Sequence, residues 1–185
     1  MSRGPVWTDG LPPDVLSLFD DADHVDVKRG QGDVNLREFV AAAASWHPAW
    51  MRMLIRARGV FARGLRLDRP DIPIGTRLGP EDVSFAPGDT VGFFTVTAGA
   101  EDRYLVLEGA DNHLTGYCAI VVERAAPGSR HRRFRVVTVV RYHRWTGHVY
   151  FGVVRPFHHL VVAGMIRAAV AARPAYGGAQ SRPSG

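Results

Sequence analysis

Three residues carry the types that acid–base chemistry needs. Asp111 and His113 stand two positions apart between β-rich runs, and an imidazole beside a carboxylate titrates near neutrality, where it can move protons at a pocket mouth. The same spacing also suits a plain turn, with Asp111 and Asn112 starting a hairpin and His113 bonded to nearby backbone. Tyr142 is the third candidate. The adjacent pair His158-His159 invites a metal, but neighbours on a helix point about 100° apart and do not ligate one ion easily. His148, Arg155, His159 and Arg173 share one helical face, and with arginines among them they read as a solvated stripe. Glu108, Arg141 and His143 read as surface ion-pair partners. The chain has no closed zinc pattern, phosphate-binding glycine loop, nucleophile elbow or dinucleotide fingerprint, which leaves no metal and no cofactor to expect.

These residues need a scaffold, and composition bounds it. A chain of 185 residues that is 46% hydrophobic and 22% charged fits one globular domain with a real core. The formal charge of +5 raises nucleic acid or an acidic surface as partners. Lys28 is the only lysine, and the arginines are scattered apart from Arg130, Arg132, Arg133 and Arg135, so nucleic acid is disfavoured. Cys118 is alone and can form no intramolecular disulfide. The opening MSRGPVWTDG lacks the apolar core of a secretory signal, which makes the cytoplasm the expected compartment.

The pattern divides the chain into an extended lead-in over 1–21, one domain over 22–173 and a tail over 174–185. Within the domain, Ala22 to Lys28 alternates as a short edge strand. Asn35 caps a helix over LREFVAAAAS, and a second begins at Pro48 and ends near Gly64. Prolines and glycines crowd the stretch from Leu65 to Asp89, which reads as a rim or lid, with Ile72 to Leu78 as its best strand candidate. Four β-rich runs follow, Thr90 to Thr97, Asp102 to Glu108, His113 to Arg124 and Arg132 to Trp145, joined by short turns as an antiparallel meander requires. In the last run Phe134, Val136, Thr138, Val140 and Tyr142 alternate with Arg133, Arg135, Val137, Val139, Arg141 and His143, and the first set should face a helix while the second meets water.

That helix is the apolar segment from Gly147 to Arg173. At about 100° per residue, Tyr150, Val153, Val154, Phe157, Leu160, Val161, Gly164, Met165 and Ala168 share its expected core side. Pro156 should bend it, which suits wrapping a concave sheet. Arg, His and Pro interrupt it, so it reads as a core helix and not a membrane span.

Three stretches in order, HPAWMRMLIRARGVFARGL, Asp111-Asn112-His113-Leu114 and VVRYHRWTGHVYFGVVRPFHHLVVAGMIRAA, resemble the bacterial domain-of-unknown-function family 2867 of the START-like, Bet v 1-like (SRPBCC) superfamily. Ala22-Asp23-His24-Val25-Asp26 adds a fourth match, and the resemblance spans about Asp23 to Ala172. Thr115-Gly116-Tyr117 departs from the acidic or aromatic strand expected after the His-Leu pair. The resemblance implies an α+β helix-grip fold, a curved antiparallel sheet gripping a long C-terminal helix, with two shorter helices near the N-terminus. It implies an apolar cavity between sheet and helix but no established activity; the faces of the last strand and the helix would line that cavity with Phe134, Val136, Thr138, Val140, Tyr142, Tyr150, Val154, Phe157 and Val161, and a small apolar or amphipathic molecule is the leading expectation for it. A cyclase, hydratase or isomerase using His113, Asp111 or Tyr142 is the alternative, as is a regulatory domain partnering a short-chain-dehydrogenase-like protein. The same side chains could also pack into a solid core.

Overall fold

The computed structural model describes residues 8–51, 53, 77–110, 114–123 and 131–172. Asp111, His113 and Arg173, most of the helix expected after Pro48 and the strand candidate Ile72 to Leu78 up to residue 76 lie outside the described residues, as does the Tyr150 side chain.

Six strands form one curved antiparallel sheet: β1 (His24–Gly32), β2 (Thr90–Val91), β3 (Phe94–Ala100), β4 (Tyr104–Ala110), β5 (Leu114–Glu123) and β6 (Arg132–Tyr142). Their order is β1-β6-β5-β4-β3-β2. The last five are a meander, as the short turns require, and only the β1–β6 pairing is distant in sequence. Between β3 and β4 the turn places Asp102 at a φ of 64°, left-handed backbone that Asp tolerates better than most residues.

Two helices lie on the concave face. The first, over Leu36–Ala44, starts at Asn35, whose side chain accepts from the Glu38 amide at 2.8 Å while the Glu38 carboxylate accepts from the Asn35 amide at 2.8 Å. This reciprocal cap leaves two otherwise orphaned amides satisfied. The second, Trp145–Ala171, is the 27-residue C-terminal helix and runs unbroken through Pro156, which has no amide to offer Gly152. It leans on the Leu36–Ala44 helix and on β1, and touches β6 little.

The β6 alternation is borne out on the concave side. Phe134 and Val136 are buried with Phe39, Leu36, Ile166 and Ala169 in one core. Phe134 stacks on Phe39 with ring centroids 4.3 Å apart. The opposite face corrects two expectations, because it does not meet water and residues 8–21 are not an extended lead-in. A short helix, α1 (Pro13–Leu16), and a 3-10 turn (Ser17–Phe19) lie across it. Leu11, Val15 and Phe19 bury Ala119, Val121, Val137 and Val139 in a second core. In sequence order the concave-face helices are therefore α2 (Leu36–Ala44) and α3 (Trp145–Ala171). The Pro-rich opening hid α1, because Pro12 and Pro13 suit a first helical turn as well as an extended chain. Arg135 is also drawn in, giving a guanidinium hydrogen bond to the Asp9 carbonyl at 2.5 Å and pairing with Glu123 at 3.3 Å.

The orientation of α3 is a further correction. Its buried side chains among the described residues are Phe151, Ile166 and Ala169, whereas Val153, Phe157 and Leu160 from the expected core side are exposed. The segment is apolar nearly all round, so periodicity alone could not set its rotation. Contacts set it instead: a Cβ on Gly30 would come 2.6 Å from Ile166 Cγ2, and one on Gly32 would come 2.9 Å from the Val170 carbonyl oxygen. Those two glycines let the C-terminal half of the helix settle onto β1.

Candidate functional site

The registers align side chains in rows across the concave face. One row is His24, Val140, Gly116 and Gly109, and the next is Asp26, Thr138, Cys118 and Leu107. Beyond them Lys28, Val136, Ile120 and Leu105 lead into the closed core. The first two rows lie at the other end of the sheet from Phe134.

Small residues dominate the middle of those rows. Among the described residues, a Cβ on Gly116 would meet nothing closer than the Gly109 carbonyl oxygen at 3.7 Å, an ordinary contact that leaves room for it. Gly116 and Cys118 keep accessible surface although β5 is flanked by β4 and β6. Protein nonetheless surrounds Cys118 so fully that burial pushes its thiol up to about 12. Such a thiol stays protonated and inert at neutral pH.

At the β1 end of the rows sits a polar cluster that the sequence did not single out. Lys28 Nζ lies 2.5 Å from Asp26 Oδ2, and His159 Nδ1 lies 3.1 Å from the ammonium and 3.2 Å from the carboxylate. A neutral His159 with a bare Nδ1 accepts from Lys28, and one protonated there donates to Asp26. Burial alone would raise the Asp26 carboxyl, but the Lys28 hydrogen bond and charge, then His159, hold it below the usual range. Two more imidazoles complete the cluster. His24 packs on Phe151 at 5.1 Å and near His159 at 6.1 Å, and burial, with Arg155 and His159, lowers its pKa. His158 is lowered to about 4, by burial first and then by the neighbouring positive groups, with Asp26 opposing. Both His24 Nε2 and His158 Nε2 are shielded from solvent with no hydrogen-bond partner among the described residues. Such atoms call for a partner, since a buried polar group without one costs about 1–3 kcal/mol.

The structure sorts the expected lining residues. Phe134 and Val136 belong to closed core, while Thr138, Val140 and Tyr142 border the rows with room. Val154 and Val161 are half-buried on α3, and Phe157 is exposed and faces away. Tyr142 stacks against His148 at 4.2 Å and lies 5.8 Å from Phe151; burial and then the Asp23 carboxylate raise its hydroxyl, so it remains a proton donor. His159, read from sequence as part of a solvated stripe, instead reaches β1. The missed cluster had one sequence signal, the alternation His24-Asp26-Lys28 opposite Val25-Val27. Its valines face the second core, under the N-terminal cover, so the polar set turns toward α3. Among the described residues, no three His, Cys, Asp or Glu side chains converge as a metal site.

Residues 16–165 match the family described as "Protein of unknown function (DUF2867)". The chain belongs to that family. Among solved structures it is similar to the one titled "Crystal structure of Ara h 8.0201", at 11% identity and a TM-score of 0.36, over 80% of this chain and 99% of that one. No curated protein matches.

Proposed function

We propose that this member of the family binds a small amphipathic molecule between the sheet and α3. Its apolar body lies over Gly116 and Cys118, bordered by Leu107, Val140 and Tyr142, and its polar end meets His24 and His158. The observation that carries this reading is that, among the described residues, a Cβ on Gly116 meets nothing closer than 3.7 Å, and that Gly116 and Cys118 keep accessible surface in mid-sheet, where a solid core would place large side chains. The two unpartnered imidazole nitrogens support the amphipathic character, because a hydroxyl or carbonyl on the ligand would satisfy them.

The test is titration with the fluorescent apolar anion 1-anilinonaphthalene-8-sulfonate, alongside native mass spectrometry of gently purified protein. Saturable binding with enhanced emission is expected, and Gly116→Leu, which fills the space, should weaken it at least tenfold while the fold persists. Unchanged binding by that variant would sink the proposal.

A second reading, acid–base catalysis of the isomerase or hydratase kind, gains from His158, lowered to about 4, and Tyr142, raised, whose rings flank Phe151 at 5.9 and 5.8 Å. It requires that Tyr142→Phe abolish turnover while leaving probe affinity within about twofold.

A further inference from the structure

The outward side of α3 is apolar and uncovered. Trp145, Val149, Val153, Phe157 and Leu160 are between 43% and 74% exposed. Their spacing of four, four, four and three places them on one stripe about 22 Å long, opposite buried Phe151, Ile166 and Ala169. The apolar surface continues past Leu160, because Trp46 lies across Gly164 and half-exposed Trp50 packs edge-on to Trp46 at 5.8 Å. A contiguous apolar surface of this kind on a folded domain marks an interaction site.

Charge selects the partner. The helix contains no Asp or Glu, and Arg144 at its start, Arg155 and Arg167 are all exposed. Arg167 falls on the stripe's side, so pairing two such helices would bring an arginine from each copy to the seam with no carboxylate on either helix to meet it, which disfavours a second copy. The chain as a whole carries +5. Exposed Trp145 and Trp50, with exposed Arg167 on the same side of the helix, suit the boundary of a bilayer, where indoles and guanidinium stems bury carbon and keep polar atoms in the headgroups.

We propose that α3 docks this protein onto an anionic phospholipid surface, lying in the plane of the membrane with the Trp145–Leu160 stripe dipped into the acyl boundary. Residues Phe151–Ala171 are by length and composition apolar enough to cross a bilayer. In-plane binding fits better, because the opposite side of the helix is held by α2 and β1 and carries His158 and His159. The inference does not depend on a ligand beneath the helix, and vesicle binding and probe binding can fail separately.

The experiment is co-sedimentation of the full chain with vesicles of phosphatidylcholine alone and with about 30% phosphatidylglycerol, at low and raised salt. Binding to the anionic vesicles is expected, at least tenfold weaker on phosphatidylcholine and several-fold weaker at about 0.5 M salt. The double variant Val153→Glu, Leu160→Glu should lose at least tenfold in binding, with its near-ultraviolet circular dichroism unchanged. Arg167→Gln should weaken only the anionic component. Absence of binding to anionic vesicles overturns the proposal, as does wild-type binding by the glutamate variant. A dimer in solution that the glutamate variant dissolves overturns it in favour of a second copy. An acidic protein held through the stripe, or residues 54–76 covering it, would appear as a wild-type chain that ignores vesicles, which also overturns it.

Discussion

The two ends of the space between sheet and helix use glycine in opposite ways. At Gly30 and Gly32 the missing Cβ lets α3 descend until its side chains and backbone touch β1. At Gly116 an added Cβ would meet only an ordinary 3.7 Å contact among the described residues. The first end is closed by large residues in contact, Phe39 on Phe134 with Ile166 and Ala169 above. The second is bordered by a glycine, an enclosed thiol and imidazoles without partners. One sheet thus carries tight contact at one end and a looser glycine at the other. A residue's position along the rows, more than its type, decides which it serves.

Truncation at the closed end should have the largest effect. Phe134 is fully buried in the stack, so Phe134→Ala is expected to cost about 3–5 kcal/mol in urea unfolding. Probe affinity of the folded fraction should change little. A large loss of probe binding with little loss of stability would reverse the assignment of the two ends.

Acid comes next in size. His158 is lowered from 6.5 to about 4, mainly because burial disfavours its charged form. The unfolded chain therefore takes up a proton first as pH falls. Stability contributed by the neutral imidazole is complete above 6.5 and is lost on the way down to about 4, amounting to about 3 kcal/mol there. His24 is lowered too and acts in the same direction. Denaturant unfolding between pH 7 and pH 4 should show this slope, and His158→Leu should remove most of it. A variant as pH-sensitive as the parent would mean that His158 is not buried neutral.

How much of this was legible beforehand follows from which forces leave a local trace. The meander was readable because its turns are short and its strands alternate, and the inward set on β6 followed from period two. The cap at Asn35 was readable for the same reason, since its partner Glu38 is three residues away. What failed depended on distant contacts. Nothing near Val25 and Val27 announces that the N-terminal turn covers the outer face and thereby turns His24, Asp26 and Lys28 inward. Nothing within α3 announces its rotation, because Phe151 and Phe157 look alike until Gly30 and Gly32 accept one side of the helix. Family resemblance supplied the fold, but His159 was misplaced on the solvent side because its partners lie more than a hundred residues away on β1.

The smallest effects give the sharpest comparison, because a single methyl group should change sign between the two ends. Gly30→Ala places a Cβ 2.6 Å from Ile166 Cγ2 and 3.1 Å from Val170 Cγ1, so α3 must lift or the side chains must leave their rotamers. That overpacking is expected to cost about 1–3 kcal/mol. Gly116→Ala meets only the Gly109 oxygen at an ordinary 3.7 Å. It also relieves the entropic cost of glycine in a strand, so stability should stay level or rise by up to about 1 kcal/mol. Thermal unfolding of the two variants side by side reads the difference directly. Destabilisation of both by the same amount would mean that the space above Gly116 is filled in solution, and the contrast between the two ends would then disappear.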